Sequence, residues 1–98
     1  MEIVAVGMQD VGAFGVDRFY VRSAPDVVHL YDVHRDGRVV QVSPEPMPER
    51  MVTSAIEKFN ASYRVVPPVT VKDTAELPKH LDTFELIDAT SVRKKDAR

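Results

Sequence analysis

The chain has 98 residues, of which 44% are hydrophobic and 29% are charged, and it has a net charge of −2 and no cysteine. A chain of this size and composition is typical of one globular domain that buries a single core. The lack of cysteine excludes disulfides, thiol catalysis and metal sites with thiolate ligands. No apolar run approaches the roughly 20 residues of a membrane-spanning helix, and the N-terminal residues include no basic leader, so we expect a soluble cytoplasmic protein.

Charge is unevenly distributed along the chain. Residues 91–98 have a net charge of +3, while residues 1–90 have a net charge of −5. We therefore expect a single domain over residues 1–90 and a disordered basic tail over residues 91–98. The acidic body disfavours nucleic acid as a partner, because binding to phosphates requires a basic surface.

The first predicted element is a short strand over residues 2–6, and three of the four glycines follow it at Gly7, Gly12 and Gly15. The interval between Gly7 and Gly12 matches the first and last glycines of a phosphate-binding loop. The next two residues, however, are alanine and phenylalanine rather than the lysine and hydroxyl residue that hold phosphate and magnesium. We therefore predict a turning segment and no nucleotide cofactor.

Residues 16–43 predict a three-stranded antiparallel meander. Residues 16–22 alternate between apolar and polar side chains, and Ala24-Pro25-Asp26 suits a turn. The run Val27–Ser43 then places β-patterned segments on both sides of Asp36-Gly37, a pair that favours a hairpin turn.

The register of this hairpin depends on the length of its turn. Asp36-Gly37 favours a two-residue turn, because glycine adopts positive φ freely and aspartate tolerates it. Side chains alternate along a strand, so this register groups four apolar side chains on one face: Tyr31, Val33, Val40 and Val42. A three-residue loop would put Tyr31 opposite Gln41 and mix apolar with polar side chains, so we favour the two-residue turn.

The opposite face of the predicted hairpin carries polar side chains. In the two-residue register, Asp32 and His34 are neighbours along one strand and Gln41 lies opposite Asp32. A carboxylate beside an imidazole can orient the ring and raise its pKa, as acid–base catalysis requires. An exposed strand face also carries such groups without any catalytic role, and the sequence places no nucleophile beside a base here. Asp32, His34 and Gln41 are therefore weak catalytic candidates, and Asp32 with His34 provides too few ligands for a structural metal site.

A second candidate surface is the alternating strip of Arg18, Tyr20 and Arg22. Basic and aromatic side chains in this arrangement bind single-stranded nucleic acid on some sheets. The tail adds further basic residues to this alternative: Arg93, Lys94 and Lys95. Acidic residues on neighbouring strands, such as Asp26 or Asp32, could instead pair with the two arginines.

Prolines at positions 44, 46 and 48 end the meander, and an amphipathic helix is predicted over residues 48–60. Its apolar stripe consists of five side chains: Met47, Met51, Ala55, Ile56 and Phe59. The stripe suits either the cover of the sheet or a partner-binding face, and we favour the cover of the sheet.

The C-terminal part predicts short elements. Residues 64–71 predict either two short edge strands or one strand broken by a bulge at Pro67-Pro68. A short helical turn capped by Asp73 or Thr74 follows, and then a last strand over residues 83–89.

The predicted fold is therefore α+β. It has a mostly antiparallel sheet made of an N-terminal strand, the meander and one or two C-terminal strands, with two helices on one face. The sequence contains no catalytic constellation, cofactor loop or basic platform, and its sheet has edges that pairing could cover. We therefore expect a non-catalytic protein-interaction domain whose partner is another protein or a second copy of the chain. Nucleic-acid binding and a small enzyme with an Asp32–His34 site are the alternatives.

Overall fold

The computed structural model describes residues 1–8, 16–42, 44–58, 62–81, 83–88 and 91–94. In chain order these residues form β1 (Glu2–Met8), β2 (Val16–Ala24), β3 (Val27–His34), β4 (Val39–Gln41), α1 (Arg50–Lys58), β5 (Ser62–Thr70), a 3₁₀-helix (Thr74–His80), β6 (Phe84–Asp88) and β7 (Ser91–Lys94). The predicted α+β class is confirmed.

Five of these strands form an antiparallel sheet in the order β4-β3-β2-β1-β5, and β6 pairs with β7 in a separate hairpin. The predicted meander is confirmed as β2, β3 and β4. The N-terminal strand β1 lies between β2 and β5, so it is paired along both edges. This position explains why its sequence is apolar on both faces.

The two helices cover opposite faces of the sheet, whereas the sequence pattern placed both on one face. Leu77 of the 3₁₀-helix packs with one group of buried side chains: Ile3, Val6, Phe19, Val21, Val33, Val65 and Val71. Val52 and Ile56 of α1 pack with the other group: Val4, Ala5, Tyr20 and Val28. We call these two surfaces the 3₁₀ face and the α1 face. Alternation along β1 supplies side chains to both faces, and a bulge between Ile3 and Ala5 accounts for the consecutive Val4 and Ala5 on the α1 face.

The hairpin between β3 and β4 has a three-residue loop, so the predicted two-residue turn is wrong. The His34 amide donates to the Arg38 carbonyl at 2.8 Å, and the Gly37 amide donates to the His34 carbonyl at 2.9 Å. Gly37 is the one loop residue with a positive φ, at 97°. A three-residue loop requires one such residue, while a two-residue turn of the favoured type requires two.

The changed register moves side chains between faces. Tyr31 lies opposite Gln41, and Val33 lies opposite Val39. Val39 therefore packs against the core of the 3₁₀ face beside Tyr31. Two valines predicted to be buried lie on the surface instead: Val40, which is 44% exposed, and Val42, which is 39% exposed.

Helix α1 begins at Arg50 and ends at Lys58 within the described residues, inside the predicted range 48–60. Val52 and Ile56 are its buried side chains, while Met51 is 47% exposed. Met47, Ala55 and Ile56 of the predicted stripe pack in the core of the α1 face, and Val52 is buried there where Met51 was predicted. Phe59 lies outside the described residues.

The C-terminal part forms the predicted elements and one further strand, β7. β5 forms the edge strand beside β1, and its register shifts around Pro67-Pro68, as the predicted bulge requires. Asp73 caps the 3₁₀-helix, where its Oδ1 accepts from the Ala75 amide at 2.9 Å. Ser91–Lys94 pairs with β6, so four residues of the expected disordered tail belong to a strand. Residues 95–98 lie outside the described residues.

Candidate functional site

The strip of Arg18, Tyr20 and Arg22 lies on the α1 face, but its groups have partners within the protein. The Nε of Arg18 donates to Oδ1 of Asp32 at 2.9 Å, and Nη2 donates to Oδ2 at 3.3 Å. This hydrogen bond raises the pKa of Arg18 further above its ordinary value. Tyr20 has 0% exposure and packs in the core under α1. A ring in this position cannot stack on a base.

Arg22 connects three elements through ion pairs. Its Nη1 donates to Oε2 of Glu49 at 2.7 Å, and its Nε and Nη2 both donate to Oε1 of Glu2, the Nε at 3.0 Å. Glu2 belongs to β1, and Glu49 directly precedes α1. Arg22 therefore holds the start of the helix against the sheet, and these bonds occupy its guanidinium.

The basic residues of the C-terminal segment lie elsewhere. In the backbone ladder of the β6–β7 hairpin, Arg93 pairs with Glu85 and Lys94 pairs with Phe84. Lys95 lies outside the described residues. Nucleic-acid binding stays a prediction. Of the residues expected to contribute to it, Tyr20 is buried, and Arg18 and Arg22 are paired with carboxylates.

Asp32, His34 and Gln41 do not form one site. Asp32 is bound by Arg18, and Nδ1 of His34 lies 3.3 Å from Nη2 of Arg38. Gln41 lies on the 3₁₀ face opposite Tyr31, where its Nε2 is 3.4 Å from Nδ1 of His29. The change of one residue in register accounts for the separation of Gln41 from Asp32 and His34, because it moves the Gln41 side chain to the other face of the sheet.

An open pocket of about 590 Å³ lies at the end of the sheet where β2 turns into β3. Its polar lining includes Glu2, Arg22, Asp26 and Glu49. These groups bond to one another: Arg22 pairs with both glutamates, and Oδ1 of Asp26 accepts from the Glu49 amide at 2.8 Å. The pocket is therefore the place where the start of α1 is attached to the sheet. Among the described residues there is also no group of three or more metal-ligating side chains.

The outer edge of β4 is a further candidate site, and the sequence predicted sheet edges open to pairing without indicating which one. β4 ends the sheet order, and no described strand pairs with its outer edge. The Val42 amide donates to the Leu30 carbonyl at 2.9 Å, and the His34 amide donates to the Arg38 carbonyl, so even-numbered residues of this segment bond to β3. Antiparallel ladders alternate, and the main-chain groups of Val39 therefore point away from β3.

The side chains of this edge are apolar and exposed. Val40 and Val42 lie on the α1 face beside the half-buried Leu30. Natural proteins protect edge strands with lysine, proline or a bulge, or by keeping them very short, as the three-residue β4 is. β5, at the other end of the sheet, has such protection in its Pro67-Pro68 bulge. β4 has neither a charge nor a proline, and its Val40 was expected in the core because of the two-residue register.

Among the described helices, none has the length and apolarity that crossing a bilayer requires. Cytoplasmic localisation and the absence of a cofactor stay predictions. Comparison with protein-family models, with curated proteins and with solved structures finds no match to this chain.

Proposed function

We propose that this chain is a non-catalytic protein-interaction module that binds an extended segment of a partner along the outer edge of β4. The observation that supports this function is the exposed edge itself, with its two surface valines and the outward main-chain groups of Val39. β5, the strand at the other end of the sheet, also exposes a valine, Val66, but it is interrupted by the Pro67-Pro68 bulge.

Strand addition has a clear physical basis at such an edge. Main-chain hydrogen bonds supply affinity that does not depend on the partner's sequence, while alternate side chains supply specificity. Val40 and Val42 point to the same face, so they would contact every second side chain of the added strand. A partner segment with apolar residues at alternate positions therefore fits this edge best.

The test uses random ten-residue peptides displayed on phage and selected against the immobilised chain. We expect enriched peptides to alternate apolar and polar residues, and their binding to weaken at least tenfold in Val40→Lys. The charge would be placed where the partner's apolar side chain lies, and lysine on an edge opposes strand pairing.

Val66→Lys is the matched control, because Val66 is 66% exposed and lies on β5 at the opposite end of the sheet. It introduces the same charge without touching β4, and the selected peptides should bind it as they bind the unaltered chain. Equal weakening in both variants, or no enriched peptide, would contradict strand addition at β4.

A further inference from the structure

We infer that the extended segment bound at the β4 edge carries a carboxylate side chain two residues after an apolar side chain and pairs antiparallel with β4. In this arrangement the carboxylate faces Arg38, and the apolar side chain faces Val40. The inference rests on the strand-addition function proposed above and adds the chemistry of the partner.

The outward main-chain groups of Val39 determine the centre of this pairing. In an antiparallel pair they bond to a single residue of the partner. The residues on either side of such a hydrogen-bonded pair form non-hydrogen-bonded pairs, in which Cα atoms approach to about 4.5 Å and side chains lie close together. The partner's two flanking residues therefore lie opposite Arg38 and Val40. This pairing uses no main-chain group of Gln41.

Arg38 gives this part of the edge a positive charge. Its side chain is exposed, and alternation places it on the same face as Val40. Its Nη2 lies 3.3 Å from Nδ1 of His34, and one ring nitrogen engages only part of a guanidinium that has five N–H donors. Among the described carboxylates, none lies within salt-bridge distance of Arg38, whereas Arg18 and Arg22 on the same face are paired with carboxylates.

The charge of Arg38 is best complemented by a carboxylate on the partner strand. Opposite charges directly across two strands stabilise the pairing, while like charges destabilise it. A guanidinium can also bind both oxygens of one carboxylate, which fixes the position of the pair. A lysine or arginine at this position of the partner would face Arg38 and weaken binding.

At the other flanking position, the structure favours an apolar side chain. Val40 is 44% exposed and lies beside the half-buried Leu30, so an apolar side chain placed over them removes apolar surface from water. The strands of this sheet pair antiparallel throughout, and antiparallel pairing is slightly more stable per residue than parallel pairing. The preferred order in the partner is therefore apolar residue, any residue, acidic residue.

Two synthetic eight-residue peptides test this order. One has glutamate two residues after a valine and threonine at every other position, and the second has glutamine in place of the glutamate. Titration into the isotope-labelled chain, followed by the amide resonances of Val39 and Val40, measures both the affinity and the location of binding. At low salt the glutamate peptide should bind about two- to fivefold more tightly, as an exposed ion pair allows. The preference should decrease at high salt.

Variants at Arg38 test whether this arginine causes the preference. Arg38→Gln should abolish it, and Arg38→Glu should reverse it in favour of a peptide with lysine in place of the glutamate. Arg50→Gln is the matched control, because it removes the same charge from an exposed arginine at the start of α1. The preference for the glutamate peptide should remain in this control, and the same spectra show that each variant is folded.

Equal affinity of the two peptides for the unaltered chain, or a preference that survives Arg38→Gln, overturns the inference and leaves strand addition standing. Tighter binding of a third peptide, with the glutamate two residues before the valine, overturns the antiparallel order. If no peptide shifts the resonances of Val39 and Val40, strand addition itself is contradicted, and this inference with it.

Discussion

Tyr20 was predicted to lie on a surface strip of β2, but it belongs to the core. Its ring is fully buried, and its hydroxyl makes no hydrogen bond with any described residue. A buried hydroxyl without a partner costs about 1–3 kcal/mol, because it gives up its hydrogen bonds to water. Burial raises the pKa of Tyr20, and the nearby Arg18 lowers it in part.

We therefore expect Tyr20→Phe to stabilise the fold by about 1 kcal/mol, measured by urea unfolding at pH 7. The ring keeps its packing and only the unpartnered oxygen is removed. Tyr31→Phe is the control, since Tyr31 is half-buried at the margin of the other core and its change should stay within about 0.5 kcal/mol. A loss of stability in Tyr20→Phe would show that the hydroxyl has a hydrogen-bond partner.

The same substitution should change the pH dependence of stability. A tyrosine whose pKa is raised by folding keeps its proton in the folded state after the unfolded chain has lost it. Its contribution is thus fully present below the unfolded pKa of about 10 and is lost as the pH rises from there through the raised value. Between pH 9 and 11, the unfolding free energy of Tyr20→Phe should fall less steeply than that of the unaltered chain.

The alternation of Arg18, Tyr20 and Arg22 correctly indicated that the three side chains share one face. Whether that face is exposed could not be read from the strand. Tyr20 is covered by α1, which begins about 30 residues later, and Asp32 reaches Arg18 from the neighbouring strand. Period-two patterns determine which residues point together, while burial depends on elements that are distant along the chain.

At the scale of elements, the register of the β3–β4 hairpin could not be predicted from the residues of the hairpin alone. The pair Asp36-Gly37 correctly predicted the position of the turn. It did not determine the length of the loop, because two- and three-residue loops differ in the backbone conformation of one residue. The observed loop places Val39 in the 3₁₀ face core, and its Asp36 accepts from the Arg38 amide at 3.0 Å. The core that receives Val39 includes Leu77, which lies nearly 40 positions later in the chain, so the register depends on packing among residues distant in sequence.

The attachment of α1 to the β2–β3 turn gives a prediction at this scale. Asp26 has a φ of 63°, and its Oδ1 accepts from the Glu49 amide in the first turn before α1. Asp26→Ala removes this bond and places alanine in a left-handed conformation, so we expect a loss of about 1–2 kcal/mol.

Asp26→Asn keeps both an acceptor oxygen and a side chain that tolerates positive φ. Its loss should stay within about 0.5 kcal/mol in the same urea unfolding experiment, with unchanged helical circular dichroism. Equal losses of unfolding free energy in the two variants would mean that neither the hydrogen bond from the Glu49 amide nor the backbone conformation at Asp26 contributes to the position of α1.

At the scale of the whole molecule, the sheet has two cores rather than one. The apolar sequence of β1 indicated burial on both faces, and the consecutive burial of Phe19, Tyr20 and Val21 in β2 shows the same property. The amphipathic pattern of α1 indicated that it covers a surface, but not which one. The chain between the sheet and each helix can reach either face, so the assignment required the three-dimensional structure.

The shared sheet leads to the prediction that both cores unfold in one transition. Ile56→Ala and Leu77→Ala each remove a buried side chain from a different face, and each should lower the unfolding free energy by about 2–5 kcal/mol. Because β1 and β2 contribute to both cores, loss of either one should unfold the whole sheet. Urea transitions followed by circular dichroism and by tyrosine fluorescence should therefore coincide in both variants.

Val66→Ala is the control for these core variants, since its exposed side chain should contribute less than about 0.5 kcal/mol. Tyr20 lies in the α1 core, so replacing the other two tyrosines (Tyr31→Phe and Tyr63→Phe) leaves a fluorescence signal that reports on the α1 core alone. If Leu77→Ala in that background lowered the circular dichroism midpoint and left the fluorescence midpoint unchanged, the two faces would be separate folding units. Coincident midpoints would show instead that the sheet unfolds as a single cooperative unit, as expected for strands that bury side chains on both faces.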